Sequence, residues 1–340
     1  MSIQSPNRVR PNWVLCLTGH PTRRQCGALF FAQCPTLLDS RWLRQFNARV
    51  TLDKLTIIGA GLLGGSIGLA ARARGLARRV SALVRRPESL AECQALGIAN
   101  EVTLDPGEAV AGADLVVLCT PISGLTGLAK RTLPDLKPGT VVTDVGSTKK
   151  QLVAELTPLC AAAGARFVGS HPMAGSDQTG PSAARADLFD GTVCLVTPTR
   201  DTDADALTTV NDFWADLGSR PVVMPADTHD RLVARCSHLP HLLASALAVR
   251  VLDPAHGEQQ AQLCATGFRD MTRLAAGSPV MWRDIVGSNR DDILAAIDEF
   301  VDEIGQLRRL IASDSPESIE TWLQRAKVAR DNWNNSDETD

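Results

Sequence analysis

Two stretches of the sequence combine residue types that can do chemistry. Residues 59–64 form a glycine-rich turn, and further along the chain residues 170–177 read Ser-His-Pro-Met-Ala-Gly-Ser-Asp. A turn of the first kind can hold a phosphorylated ligand, whereas His171, at the end of the strand-like run 166–170, can accept a proton. Together they indicate a nicotinamide-dependent oxidoreductase that couples hydride transfer to removal of a hydroxyl proton.

The glycine turn lies between a strand-like run, 55–58, and a helix-like stretch that reaches residue 75. In that setting Gly59 permits a tight turn, Gly61 lets the backbone approach a pyrophosphate, and Gly64 lets the helix pack closely on the strand. The spacing predicts a dinucleotide site at a helix N-terminus. The alternative is a turn whose glycines serve packing alone. Four further residues belong to the predicted cofactor site: Leu62, Leu63, Thr120 and Pro121.

The end of the second strand-like run predicts which cofactor is preferred. NAD enzymes usually place there an acid that accepts hydrogen bonds from the ribose 2′-hydroxyl. This chain has Val84 instead, followed by Arg85 and Arg86. Because two guanidinium groups can bind a 2′-phosphate, we expect NADP to be favoured over NAD. If both arginines are only solvated loop charges, the protein should discriminate little between NAD and NADP.

Three side chains after strand-like runs are expected to meet in one crevice. The carboxyl ends of the strands in an open α/β sheet face the ligand, so Thr120, Ser147 and His171 can reach the same site. A lone histidine is more often structural than catalytic. The position of His171 on the crevice side nevertheless favours a catalytic role.

A second cluster of polar residues lies in the last third of the chain. His238 and His241 are three residues apart with Pro240 between them, which indicates a helix start with both rings on one face. Asp270 and Arg273 have the same spacing and would form a surface ion pair in the simpler interpretation. In the functional interpretation Arg273 faces the crevice and binds a substrate carboxylate through two hydrogen bonds.

The pattern of apolar runs predicts two kinds of structure. β-Branched runs at 55–58, 80–84, 115–119, 141–145, 166–168 and 193–196 alternate with helix-like segments, which indicates a doubly wound, Rossmann-type parallel sheet in an α/β domain. After residue 227 helical periodicity dominates, and the apolar stripe of 291–312 needs a partner surface within the domain or across a dimer interface. We therefore predict a disordered N-terminal extension, a dinucleotide-binding domain, an all-helical domain for substrate binding and dimerisation, and a flexible tail: 1–50, 51–226, 227–331 and 332–340.

Composition limits the class of protein. The chain has 340 residues, of which 44% are apolar, and a net charge of −3, so it can bury sizeable cores but lacks the basic field of a nucleic-acid-binding protein. No uninterrupted apolar run reaches the length that spans a bilayer. The nine cysteines show no disulfide or zinc spacing. We expect a cytoplasmic protein with reduced thiols, a small-molecule substrate and no metal.

Six motifs resemble the prephenate dehydrogenases of tyrosine biosynthesis and their arogenate dehydrogenase relatives. They occur in that family's order and the resemblance extends over 55–312. The matching stretches are Gly59-Ala60-Gly61-Leu62-Leu63-Gly64-Gly65-Ser66, Asp144-Val145-Gly146-Ser147-Thr148-Lys149, Gly169-Ser170-His171-Pro172-Met173-Ala174-Gly175, Ser237-His238-Leu239-Pro240-His241, Gly267-Phe268-Arg269-Asp270 and Met281-Trp282-Arg283-Asp284-Ile285.

The resemblance implies oxidative decarboxylation of prephenate to 4-hydroxyphenylpyruvate by a homodimer. His171 would draw the proton of the ring hydroxyl as the hydride leaves, and Ser147 would support that hydroxyl and orient His171. Arg273 resembles the arginine that binds a substrate carboxylate, and His241 the residue that favours the pyruvyl side chain of prephenate. The remaining substrate-site residues that the resemblance implies have supporting roles: His229, His238, Asp270 and Trp282.

Two other functions remain open at the level of sequence. The first is arogenate dehydrogenation, which gives tyrosine directly; His241 favours prephenate over arogenate. The second is a nucleotide-sensing module without catalysis, against which the joint presence of Ser147, His171, His241 and Arg273 argues. Asp177 stands where bacterial members often have glutamate, so a gating role is not carried over to it. No chorismate mutase or regulatory domain is expected in the chain, so any feedback by tyrosine would act at the active site.

Overall fold

The computed structural model describes residues 52–176, 178–256 and 258–337. The predictions for residues 1–50, for Asp177 and for residues 338–340 lie outside this part of the chain. The strands are β1 (Leu52–Ile58), β2 (Ala77–Leu83), β3 (Glu101–Thr103), β4 (Leu115–Leu118), β5 (Val141–Asp144), β6 (Arg166–Phe167), β7 (Gly169–Pro172), β8 (Val193–Thr197) and β9 (Arg220–Val223).

In the described residues the α-helices fall into two groups, six before residue 224 and seven after it. The first group is α1 (Leu62–Arg74), α2 (Pro87–Ala95), α3 (Pro106–Val110), α4 (Ile122–Thr132), α5 (Lys150–Ala162) and α6 (Ala204–Asp216). The second is α7 (Ala226–Val233), α8 (Leu239–Val251), α9 (Glu258–Gln262), α10 (Thr266–Thr272), α11 (Pro279–Ser288), α12 (Arg290–Ala312) and α13 (Pro316–Asp337).

The first six strands form one parallel sheet in the order β3-β2-β1-β4-β5-β6. Its central strands β1 and β4 are almost wholly buried, and side chains of alternating residues enter two hydrophobic clusters, for example Leu55 and Ile57 on one face and Ile58 on the other. Burial on both faces explains why these strands read as continuous apolar runs. The strand order reverses between β1 and β4, since the chain first adds strands on one side of β1 and then on the other. Open α/β sheets bind ligands at such a reversal, beyond the carboxyl ends of the strands. The predicted fold class is confirmed.

The predicted strand 193–196 is wrong in its placement. It corresponds to β8, which lies in a separate three-stranded sheet, antiparallel to β7 and parallel to β9. The run 166–170 is likewise divided: β6 ends at Phe167, and His171 lies inside β7 rather than at the end of the parallel strand. Hydrophobic periodicity identifies a strand but not the strand with which it pairs, since pairing depends on distant residues.

The two histidines 238 and 241 do not mark a helix start. Residues 226–251 form one continuous helix of 26 residues that begins with α7, passes through a π-helical turn, Ala234–His238, and continues as α8. Pro240 lacks an N–H and its ring displaces the carbonyl four residues earlier, and the wider π turn accommodates it. Judged by length and composition alone, this helix is apolar enough to span a membrane. It nevertheless buries Asp230 and His229 against the sheet-bearing part of the protein.

The described residues after Val223 are helices and turns, as predicted. The stripe of α12 buries Ile293 and Ala296 against Ala234, whereas Ile304 and Ile311 towards its C-terminal end remain exposed. Helix α13 extends to Asp337, beyond residue 331 where the sequence predicted a tail. All the described residues belong to one compact unit, and near residue 226 the secondary structure changes from strands and helices to helices alone. The predicted domain boundary at this point stays a prediction.

Candidate active site

The glycine turn forms a cradle that side chains would fill. Gly59 has φ of 100°, and a Cβ atom there would lie 2.8 Å from Cγ2 of Thr120. A Cβ atom on Gly64 would lie 2.1 Å from the carbonyl oxygen of Gly59, so helix α1 touches the turn directly. By contrast, a Cβ atom on Gly61 would meet no protein atom within 4 Å. The turn is therefore closed on its packing side and open at the position where a pyrophosphate would approach.

The residues around this cradle fit a dinucleotide. The hydroxyl Oγ1 of Thr120 is buried and has no hydrogen-bond partner in the described part of the protein. Because a buried polar atom without a partner is costly, this hydroxyl is ready to bond a ligand group. Leu62 and Leu63 are half-buried at the start of α1, and Pro121 is exposed at the start of α4. The amides of the turn and Thr120 would hold the cofactor.

Arg85 and Arg86 follow β2 and are both exposed. Within the part of the chain that the structure describes, neither forms an ion pair. Val84, in contrast, is buried and donates its N–H to the carbonyl of Thr103, which fixes the start of this loop. Whether the two guanidinium groups meet a charged group of a dinucleotide stays a prediction.

His171 is the first member of a hydrogen-bonded chain of buried side chains. It lies in β7 with 9% of its surface exposed, and its Nδ1 is 2.9 Å from Nε2 of His229. Nδ1 of His229 is in turn 2.7 Å from Oδ1 of Asp230, and both of these side chains on α7 are fully buried. His171 is thus the exposed end of a row that runs from the crevice into the interior.

The environment keeps His171 neutral. Burial lowers the pKa of His171 well below its ordinary value, and the neighbouring His229, Lys149 and His238 lower it further. Burial also lowers the pKa of His229, although the hydrogen bond with Asp230 opposes that effect. A neutral imidazole keeps a lone pair on one ring nitrogen, so His171 can accept a proton at ordinary pH.

A buried ionic group supports both the His171 strand and the Ser147 loop. Lys149 and Asp144 are fully buried and form a salt bridge, and Oδ1 of Asp144 also accepts the N–H of Ser170, 3.1 Å away. Ser147 itself is half-buried in the loop between β5 and α5. His229, rather than Ser147, is the hydrogen-bond partner of Nδ1 of His171. The predicted support of a substrate hydroxyl by Ser147 stays a prediction.

His241 and Trp282 form a flat stack on the helical side. Their ring centroids are 3.5 Å apart with an angle of 11° between planes. A Cβ atom on Gly277 would lie 2.7 Å from Cε1 of His241 and 2.8 Å from Nε1 of Trp282, so glycine is needed at the edge of this stack. Burial lowers the pKa of His241, which is 7% exposed. The stack fixes the ring plane of His241 from one side.

His229 and His238 lie behind the surface of the site. Their exposed fractions are 0% and 1%, and Nδ1 of His238 accepts a hydrogen bond from the side chain of Asn289, 3.2 Å away. Burial lowers the pKa of His238 to about 4. Such closed environments favour a supporting role for both residues over direct contact with a substrate.

Arg273 and Asp270 are both exposed, and no ion pair joins them in the described part of the chain. The surface ion pair that their spacing allowed is therefore not formed. Arg273 begins the turn Arg273–Ala276, which packs against α8, the helix of His241. The backbone of Arg273 thus lies beside the helix that carries His241, and the binding of a substrate carboxylate by its side chain stays a prediction.

Asp230 was not among the site residues predicted from the sequence. Its carboxylate receives the N–H groups of Lys149 and Lys150 at 2.7 and 2.9 Å in addition to His229. Burial alone would raise the pKa of Asp230, but the hydrogen bonds from His229, Lys150 and Lys149 hold it below its ordinary value. The available signal was its position beside His229, although an acid next to a histidine is common.

Two family models match the chain. The nucleotide-binding domain of prephenate dehydrogenase matches residues 67–223 and its dimerization domain matches residues 225–325. The chain is also 33% identical over 278 residues to the cyclohexadienyl dehydrogenase of Zymomonas mobilis, with coverage of 81% of this chain and 94% of that enzyme.

Solved structures show the same similarity. A crystal structure of prephenate dehydrogenase from A. aeolicus in complex with hydroxyphenyl propionate and NAD+ has a TM-score of 0.78 and 30% identity, with coverage of 83% of this chain and 99% of that one. Synechocystis arogenate dehydrogenase has a TM-score of 0.73 and 26% identity, with coverage of 82% and 99%. The matches extend over both the sheet and the helices that follow it.

Proposed function

The chain belongs to the prephenate dehydrogenase family, and we propose that it converts prephenate to 4-hydroxyphenylpyruvate and carbon dioxide, as a step towards tyrosine. The observation that carries this proposal is the neutral, nearly buried His171 at the end of its hydrogen-bonded row. The family identifies an oxidoreductase with a nucleotide-binding domain. The choice of substrate and the roles of single residues are proposed below.

The proposed reaction removes one hydride and one proton from the ring carbinol. His171 accepts the hydroxyl proton. A nicotinamide held by the glycine turn and Thr120 would supply the acceptor for the hydride that leaves the same carbon. The carbonyl that forms draws the electrons of the ring carboxylate, which leaves as carbon dioxide as the ring becomes aromatic. His171 then returns its proton to the phenolate oxygen, so the histidine is neutral again after each turnover. Ser147 supports the hydroxyl, and Arg273 binds a carboxylate.

Prephenate is proposed over arogenate on the strength of His241. Its ring, fixed by Trp282, offers a nitrogen to the keto acid side chain, whereas the ammonium group of arogenate would prefer an anion. Arogenate remains the second candidate, because an arogenate dehydrogenase is among the similar structures.

NADP is proposed as the preferred cofactor because Arg85 and Arg86 are exposed without a described ion-pair partner. The similar A. aeolicus structure contains NAD+, so the preference has to come from this chain's own loop. We further propose a cytoplasmic homodimer that buries the exposed part of the α12 stripe, with any inhibition by tyrosine acting at the active site.

Assays of prephenate and arogenate, each with NAD and NADP, test these proposals together through the absorbance of the reduced cofactor. We expect the highest kcat/KM for prephenate with NADP. Turnover of arogenate alone would contradict the proposed substrate, and equal kcat/KM values for the two cofactors would contradict the NADP preference.

The role of His171 has a separate test. His171→Asn should bind NADP as the wild type does and lose about 10²- to 10⁴-fold in kcat, the usual size of a general-base contribution. This variant also separates the enzyme from a nucleotide-sensing module, which would have no turnover to lose. Unchanged kcat would remove His171 from the mechanism.

A further inference from the structure

We propose that Asp230, acting through His229, fixes the tautomer of His171 so that Nδ1 carries the hydrogen and Nε2 is the basic atom. Asp230 and His229 are then positioning residues that contact neither substrate nor cofactor. The inference rests on the proposed function, because it specifies which atom of His171 receives the proton.

Asp230 is the ionised end of the row of hydrogen-bonded side chains. Asp230 is fully buried and accepts hydrogen bonds from the backbone N–H groups of Lys149 and Lys150 and from Nδ1 of His229. The two backbone groups lie at the N-terminus of α5, where unpaired N–H groups and the helix dipole favour a negative charge. A carboxylate is an acceptor only, so the nitrogen of His229 that faces it must carry a hydrogen.

The charge on Asp230 then determines which ring nitrogen carries the hydrogen, first in His229 and next in His171. His229 is neutral and has its hydrogen on Nδ1, so its Nε2 has a lone pair. This Nε2 lies 2.9 Å from Nδ1 of His171, which must therefore donate. Because His171 is also neutral, its Nε2 is left with the lone pair. The opposite tautomer of His171 would place two acceptors against each other in a buried space.

The same carboxylate holds the Ser147 loop. By accepting the N–H groups of Lys149 and Lys150, Asp230 fixes the backbone immediately after Ser147 and Thr148. Asp230 on α7 thus contacts the start of α5, just after Ser147, and it also contacts His229, which bonds to His171. A single side chain sets the relative position of the two groups that are proposed to meet the ring hydroxyl.

The arrangement also explains how a charged His171 is tolerated during turnover. Proton uptake at Nε2 gives an imidazolium whose Nδ1–H points along the row towards the Asp230 carboxylate. The other ionisable groups near it include His238, Lys149 and Asp144, of which the last two neutralise each other in a salt bridge, and Cys194, whose pKa is raised by burial so that it stays a neutral thiol. Asp230 is therefore the anion in this surrounding that is not already paired with a cation.

The substitution Asp230→Asn tests the inference. An asparagine presents an NH2 group as well as an oxygen, so His229 is no longer obliged to donate from Nδ1. We expect ¹⁵N NMR of histidine-labelled protein to show His171 of the wild type with hydrogen on Nδ1 only, and a population with hydrogen on Nε2 in the variant. The signal of His171 is assigned by its loss in His171→Asn. We also expect kcat to fall by about 10²- to 10⁴-fold, as when the acid that orients a catalytic histidine is neutralised.

Asp227→Asn is the matched control, because Asp227 lies on the same helix, is exposed and, among the described residues, forms its ion pair with Lys150, 3.6 Å away. It should leave both kcat and the tautomer unchanged. The dissociation constant for NADP should be the same in Asp230→Asn as in the wild type, which separates loss of positioning from loss of the fold.

Three results would overturn the inference: a wild-type His171 with its hydrogen on Nε2, an Asp230→Asn protein with an unaltered tautomer, or one with an unaltered kcat. If the variant does not fold, the wild-type spectrum decides alone. Failure of the proposed function is a different outcome, in which His171→Asn retains its turnover while the wild-type tautomer is as expected.

Discussion

His238 should make the protein lose stability in mildly acidic solution. Its ring is 1% exposed and burial lowers its pKa from 6.5 to about 4. The side-chain amide of Asn289 donates to its Nδ1 and also to the carbonyl of Asp230, so a proton on Nδ1 would break an existing hydrogen bond. The folded protein thus holds His238 neutral at a pH where the unfolded chain protonates it.

The direction and the size of the change in the free energy of unfolding follow from proton linkage. Between the two pKa values the unfolded state binds one more proton at this site, so the free energy of unfolding falls as the pH falls from 6.5 to about 4. The whole contribution is about 3 kcal/mol, of which about 2 kcal/mol is lost by pH 5. Above pH 6.5 the contribution is fully present, and below pH 4 both states are protonated.

The assay is urea unfolding at pH 7, 6 and 5, followed by tryptophan fluorescence, for the wild type and His238→Gln. His171, His229 and His241 also have lowered pKa values, so the wild type will lose more than His238 alone explains. The difference between the two proteins isolates His238: the variant should lose about 2 kcal/mol less between pH 7 and pH 5.

Ser237→Ala is the matched control, because it alters the same turn without removing a titratable group, and it should lose stability with pH as the wild type does. Identical pH dependence of the free energy of unfolding for the wild type and His238→Gln would refute the reasoning. It would mean that the π turn opens to admit water, and that the closed environment of His238 does not persist.

Two further predictions concern the cofactor site. Gly64→Ala should lower the melting temperature and weaken cofactor binding by about tenfold or more, because its Cβ atom would lie 2.1 Å from the carbonyl oxygen of Gly59; Gly61→Ala, which meets no protein atom within 4 Å, should weaken binding while the melting temperature stays the same. Equal effects of the two substitutions on thermal unfolding would contradict this account of the turn. Replacing both Arg85 and Arg86 by alanine should reduce kcat/KM with NADP by about ten- to a hundredfold and leave the value with NAD unchanged, as expected for loss of charged hydrogen bonds to a phosphate. A parallel fall with both cofactors would show that the arginines act on the fold of the loop.

The parts of the fold that were predicted correctly depend on local signals. The strand, glycine turn and helix at residues 52–74 can be identified from neighbouring residues, because close packing at Gly64 and the turn at Gly59 act within a few positions. The sheet to which β8 belongs could not be identified in this way. Its apolar run is suited to any buried strand, and its pairing with β7 follows from the tertiary fold.

The site shows the same division between local and distant causes. His171 and Arg273 were identified from motifs, because their residue type and position suffice to suggest a chemistry. Asp230 was missed because its importance arises from contacts with Lys149 and Lys150, which are about eighty residues away in sequence. The helix through Pro240 was missed because proline normally marks a helix start, and the π turn that accommodates it has no reliable sequence signal.

If Asp230 positions His171 as proposed, the helical region takes part in catalysis through the hydrogen bonds of α7. Without α7 in place, the N–H groups of Lys149 and Lys150 would lose their buried acceptor and His171 would lose the partner of its Nδ1. Each of these losses leaves a polar group unpaired, which is costly in a buried setting. The packing of α7 against α5 and the correct state of the proposed base are therefore stabilised by the same hydrogen bonds. Substitutions that weaken this packing should lower kcat before they unfold the protein, since the tautomer of His171 depends on contacts at the junction itself.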